Sequence, residues 1–381
     1  MLTLPPLSLY IHIPWCVKKC PYCDFNSHAQ NGELPRDEYM AALLEDLKQD
    51  QHLAQGRSIA TIFIGGGTPS LMTGAWYKEL FSQIHAIVPI ADDAEITMEA
   101  NPGTLEYDSF DAYVAAGINR ISMGVQSFDS DKLARLGRIH SGAEAITAAQ
   151  GAASSGLKSF NLDLMHGLPN QSFEEAMNDI KKAASLNPPH ISWYQLTIEP
   201  NTLFHSKPPT LPDDDDLWDI YDQGRALLSE LGYEQYEVSA YAKKGYQCRH
   251  NINYWEFGDY LGIGCGAHGK ITLPQSDTIM RTEKIKHPKG YLSNIEKLYR
   301  KSPIEPEDRA LEYLMNRARL VTPFTSSDFS ARTGIEAQIL NRGLQPSIDK
   351  GLIRQQGEQW QLTSKGQLFV NDILDPFLIS D

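Results

Sequence analysis

No apolar run in this sequence approaches the roughly 20 residues that a membrane-spanning helix needs. The opening stretch, MLTLPPLSLYIHIPWC, also lacks the charged start and long apolar core of a secretory signal. Positive charge is in short supply: 34 Lys and Arg stand against 48 Asp and Glu, a formal net charge of −14. That balance disfavours general binding to nucleic-acid backbones or anionic lipid. Cysteine is scarce too, with five residues, an odd number, and three of them lie within eight positions. A disulfide framework spreads its pairs along a secreted chain. This pattern instead predicts a reducing cytoplasm and a metal site.

Short apolar runs recur at 7–13, 61–65, 95–100, 120–126, 159–165 and 190–198. Amphipathic stretches such as 36–53 and 172–186 separate them. Strands alternating with helices predict βαβ units around a parallel sheet. Six such strands make a partial (βα)6 barrel, not a closed eight-stranded one. The rhythm breaks after Pro200: residues 205–216, rich in Pro and Asp, read as a linker into a helix. The run Asp213–Asp216 sits at that helix's start, where carboxylates cap free amides and suit the dipole. Toward the end, helices near 306–320 and 335–350 precede a hairpin turning near Gly357 and a helix from Ser364. That order predicts a mostly helical, winged-helix-like module. The expected division is a barrel over 1–205, an accessory region over 206–300 and the C-terminal module over 301–381.

The chemistry concentrates in Cys16-Val-Lys-Lys-Cys20-Pro-Tyr-Cys23, at the carboxyl end of the first expected strand. Barrel enzymes build their sites on that face. Thiolates are natural ligands of iron–sulfur clusters, and three of them on a four-iron cubane leave one iron open. Lys18 and Lys19 would offset thiolate charge. Zinc, with His12 or His28 as a fourth ligand, is the competing reading of the spacing. Gly65-Gly66-Gly67-Thr68-Pro69 follows the second strand, and glycines there let backbone approach a ligand. Polar residues stand at or near later strand ends: Glu99, Gln126, Arg138 in the loop LGRIH, and Asp163. Singly, each reads as a structural hydrogen-bonding group; as a set facing one mouth, they fit a ligand with many polar groups.

The C-x3-C-x2-C spacing, with Tyr22 just before the last Cys, resembles the radical S-adenosylmethionine (SAM) superfamily. The resemblance is closest to the oxygen-independent coproporphyrinogen oxidase-like branch and covers nearly the whole chain. It implies a [4Fe–4S] cluster on Cys16, Cys20 and Cys23, whose reduction of bound SAM would yield a 5′-deoxyadenosyl radical. It implies SAM contacts from Tyr10, Gly66, Gly67, Thr68, Glu99, Gln126, Arg138 and Asp163. Within the branch, the sequence resembles the heme chaperones more than the oxidases. Phe25 stands where bacterial oxidases carry a further Cys, the extra N-terminal segment of the oxidases is missing, and His250-Asn251-Ile252-Asn253-Tyr254-Trp255 matches the HNxxYW motif associated with heme. The resemblance thus implies heme as cargo, His250 as its ligand, and hemoproteins, respiratory enzymes among them, as acceptors. Tyr254 and Trp255 would pack on the porphyrin and Arg249 would pair with a propionate. Without the resemblance, the same hexapeptide reads as an ordinary polar turn. Cys248, Cys265 and His268 are possible alternative ligands, but such residues are more often buried fillers of a glycine-rich turn, and they are assigned no role.

Overall fold

The computed structural model describes residues 1–30, 32–104 and 108–378. The six expected strands form as β1 (Leu7–Ile13), β2 (Ile59–Gly66), β3 (Ile90–Ala100), β4 (Arg120–Gln126), β5 (Ser159–His166) and β6 (His190–Gln195). They pair in sequence order, all parallel. Parallel strands are covered on both faces, so their apolar residues run nearly unbroken; Leu7, Leu9, Ile11 and Ile13 of β1 are all buried. Outside them pack helices such as α1 (Arg36–Asp50), α2 (Gly74–Ile87), α3 (Gly142–Ser154) and α4 (Phe173–Ser185). Capping boxes Ser141/Glu144 and Ser172/Glu175 start the last two, each satisfying two otherwise free amides.

The sheet does not end with the sixth strand. Among the described residues it has twelve strands. On the β6 edge it gains β7 (Glu234–Glu237) and β8 (Ala240–Ala242). On the other edge β9 (Asp259–Ile263) lies parallel to β1 and is followed by antiparallel β10 (His268–Leu273), β11 (Thr278–Lys284) and β12 (Leu298–Pro303). The stretch 206–300 therefore extends the barrel sheet at both edges. Helix α5 (Asp214–Glu230) leads into it, with Asp213 capping the Asp216 amide. Helix α6 (Arg249–Trp255) sits between the two extensions in sequence.

At the C-terminal end, α7 (Arg309–Arg317), α8 (Ser326–Thr333) and α9 (Ala337–Asp349) precede a hairpin of Ile353–Gln356 and Gln359–Leu362, and a helix starts at Ser364. Phe324–Thr325 adds a third strand to the hairpin. This is the expected winged-helix-like order, with α8 as an addition. The module shares one core with the barrel's extension: Leu2, Phe257 and Ile279 cluster with Tyr313, Phe329 and Trp360.

Candidate functional site

Side chains alternate across a strand, and here one set of alternates is polar and turned to the barrel's inside. At the carboxyl ends of the strands, Cys16, Cys20, Cys23, Gly66, Gly67, Thr68, Glu99, Gln126, Arg138 and Asp163 line one cavity of about 300 Å³. Every expected cluster and SAM residue except Tyr10 is in that lining. Tyr10 lines an adjoining cavity of about 850 Å³, which also shares Cys23, Phe25, Ser27, Gly66 and Glu99 with the first.

The three thiols have donors aimed at them. Cys16 is buried and hydrogen-bonded by Thr68. Ser27 lies 3.6 Å from Cys23 Sγ, and Arg138 donates to Cys20 Sγ at 3.6 Å. Burial raises the pKa of the Cys16 thiol, and the Thr68 hydrogen bond opposes that shift. Among the described residues, no three His, Cys, Asp or Glu side chains are gathered for a single metal ion. His12 and His28, the candidate fourth zinc ligands, are both hydrogen-bonded to Asn26. Three thiols lining one cavity are a donor set whose chemistry suits an iron–sulfur cluster.

The glycine loop is locked to the cysteine loop. Gly67 N–H donates to Ile13 O and Thr68 N–H to Trp15 O, both at 2.7 Å. A side chain at Gly67 would bring its Cβ within 2.4 Å of Trp15 O, and Gly66 takes a φ of 111° against the His12 ring. Gly66 N–H donates to Glu99 Oε2 at 3.1 Å. Burial, then the charge of Asp163, pushes Glu99 up to about 7. Asp163 is also raised by burial, although Ser122 and Asn161 donate to it at 3.0 and 2.7 Å. Gln126 accepts from Tyr194 at 2.8 Å, and Arg138 donates to Gly124 O at 2.6 Å. The Arg138 Nε is buried without a partner among the described residues.

The HNxxYW segment forms α6, which packs against early residues of the barrel strands, Asn253 on Ser8 and His250 on Thr61. His250 is fully buried, with Nδ1 on Thr61 Oγ1 at 2.8 Å and its backbone N–H on Glu95. Burial and nearby Arg120 lower its pKa to about 3. Its Nε2 is enclosed without a partner, and the ring lines neither cavity. Trp255 turns toward the C-terminal module, under the Arg319 guanidinium. Arg249 is held by Asp93. Of the expected heme residues, Tyr254 is the one that lines the larger cavity. Cys248 and Cys265 are buried and pushed up to about 12 by burial. Sequence reasoning passed over Asn26, which joins the cysteine loop to Cys265 O and Lys286 O at 2.9 and 3.0 Å. It also gave no role to Ser27, Tyr194 and Tyr260; long-range pairing of this kind leaves no local sequence signal.

A partial parallel barrel with three cysteines and a glycine loop at its mouth defines a radical SAM protein, and the Radical SAM superfamily profile matches residues 10–183. The HemN C-terminal domain profile matches residues 304–369. "Heme chaperone HemW" of Escherichia coli K12 is 57% identical over 99% of this chain and 100% of its own. The protein of that name from Bacillus subtilis 168 is 32% identical over 97% and 99%. The solved coproporphyrinogen III oxidase HemN from Escherichia coli is 26% identical, with a TM-score of 0.82 over 98% of this chain and 90% of that one. This chain belongs to the HemW family of heme chaperones within the radical SAM superfamily.

Proposed function

We propose that this protein takes up heme in the cytoplasm and hands it to heme-free acceptor proteins, respiratory enzymes among them, while carrying a SAM-binding [4Fe–4S] cluster. The observation that carries this reading is the pair of adjoining cavities: the smaller is lined by three thiols and the larger by aromatic rings, with Cys23, Phe25, Ser27, Gly66 and Glu99 common to both. Cys16, Cys20 and Cys23 would hold the cluster. Once bound, it supplies an electron and an open iron for the methionyl group of SAM.

The chain's own groups account for SAM recognition. The N–H groups of Gly66, Gly67 and Thr68 are taken within the protein, so acceptor oxygens are what this loop offers an ammonium. Glu99 adds a carboxylate beside the cationic end, and Asp163 a second one. Gln126 and Arg138 supply donors to the carboxylate or adenine edge. Tyr10 bonds His12 at 3.0 Å and bounds the side facing the larger cavity. Tyr10, Tyr254 and Tyr260 there suit a flat, largely apolar cargo. The work is divided among a barrel (1–205), an accessory stretch (206–300) and a C-terminal module (301–381).

Oxidative decarboxylation of coproporphyrinogen III is the alternative, favoured by the likeness to HemN over 98% of this chain. Measuring iron, SAM and heme on one reconstituted preparation tests the main reading. It expects about four irons per chain, SAM binding by calorimetry, and heme uptake by absorption. Stoichiometric zinc with no affinity for iron, or no heme uptake, would remove it.

A further inference from the structure

Three histidines line the larger cavity, and their hydrogen bonding separates them. His12 has both ring nitrogens engaged, Nδ1 with Tyr10 at 3.0 Å and Nε2 with Asn26 O at 2.9 Å. His28 Nε2 faces Asn26 Oδ1 at 3.2 Å, and its ring leans edge-on against His287. The His268 imidazole makes no hydrogen bond among the described residues. It is exposed and heads β10. Partial burial lowers its pKa, Glu283 opposes that shift, and Lys286 and Arg281 add to it. A neutral imidazole is the form that ligates iron.

The surroundings suit heme. Phe25 is 62% exposed at the boundary between the two cavities, an unusual place to leave a large ring to water. Lys286 is exposed, forms no ion pair among the described residues, and lines the same cavity. A lysine so placed can pair with a propionate carboxylate. Tyr254 forms a wall, held edge-on by Tyr260 at 4.5 Å and by His250 at 4.6 Å between ring centroids. His250 itself is below that wall, wedged also against Phe63 at 5.2 Å.

Given heme as the cargo, as argued above, we propose that His268 takes its iron at the rim of the larger cavity, with Phe25 and Tyr254 against the porphyrin and Lys286 toward a propionate, while His250 is a positioning residue that holds Tyr254 from beneath. No iron bond to His250 is needed, since its ring lines neither cavity.

The test is titration of hemin into the reconstituted full-length chain, followed by optical absorption and electron paramagnetic resonance. His268→Ala should move the Soret band and weaken binding by about tenfold or more, and added imidazole should restore the original band. His268 is exposed, so the substitution spares the fold. Lys286→Ala should weaken binding without moving the band. His250→Asn, which keeps a hydrogen-bonding group for Thr61, should leave the band where it is, even if His250→Ala lowers affinity by loosening Tyr254. An unmoved band in His268→Ala, or a moved one in His250→Asn, overturns the assignment while leaving the chaperone reading intact. A wild-type chain that takes up no hemin removes both.

Discussion

Replacing Glu99 by Gln deletes one ionisation at the centre of the site and keeps the side chain's shape. The carboxyl accepts from Gly66 and is raised from 4.5 to about 7, first by burial and then by Asp163. An acid raised on folding favours the protonated native state. Its effect on stability is therefore absent below about 4.5, grows as pH rises, and is a full penalty above about 7. At about 1.4 kcal/mol per pH unit, the interval amounts to about 3 kcal/mol. The side chain is partly exposed to the cavity, which makes that figure an upper bound. In SAM-free protein, Glu99→Gln should match wild type near pH 4.5 and exceed it by up to about 3 kcal/mol at pH 8. SAM binding should move oppositely. Its sulfonium and ammonium favour ionised Glu99, so wild-type affinity should climb between pH 6 and 8, by roughly tenfold per unit below the carboxyl's pKa. The variant should bind more weakly and with a flatter profile. Urea unfolding and calorimetric SAM titration at pH 5, 6.5 and 8 supply the comparison. A stability difference identical at pH 5 and pH 8, or unchanged SAM affinity in the variant, refutes the reasoning.

Substituting Ala for Cys16, Cys20 or Cys23 should abolish the brown chromophore and iron loading, as read by absorption and metal analysis. Gly67→Ala would press its Cβ to 2.4 Å from Trp15 O. It should cost about 1–3 kcal/mol in urea unfolding and lower iron content by displacing the loop that carries Cys16. Lys284, buried on β11, pairs with Asp46 and Asp50 of α1. Lys284→Met leaves those carboxylates without their cation and should lower stability by about 3–5 kcal/mol; an unchanged urea midpoint would contradict it.

The six barrel strands were legible because a strand covered on both faces is an apolar run, as LSLYIHI shows. Their lengths were less so: β3 begins at Ile90, through the exposed Asp92 and Asp93, where hydropathy gives no sign of a strand. The seventh parallel strand, β9, reads as Asp-Tyr-Leu-Gly-Ile, and its Asp259 resembles a turn residue. Its carboxylate is instead buried and shared by Arg57, Lys270 and Thr272, partners remote in sequence or on another strand. Helix α8 did carry a local signal, the Thr325/Asp328 capping box, but its Ser-rich sequence reads as loop. The residues expected to hold the cluster and SAM share one mouth because most stand at or near strand ends and the barrel brings strand ends together. The surroundings of the expected heme residues were not legible. Motif spacing put His250, Tyr254 and Trp255 on one short helix, but only packing decides which of its faces meets a cavity. The larger cavity joins residues near 10–28 to others near 254–286, a union made by β9 pairing with β1.

The central proposal is that this protein handles heme as cargo and does not oxidise porphyrinogen, although it shares its fold with HemN. The direct test gives one reconstituted preparation two tasks, with SAM and reductant present: activation of a heme-free acceptor after loading with heme, and conversion of coproporphyrinogen III tracked by product chromatography. The account predicts acceptor activation and no protoporphyrinogen IX. Turnover of coproporphyrinogen III at rates comparable to a true oxidase, with no heme passed to the acceptor, would contradict it.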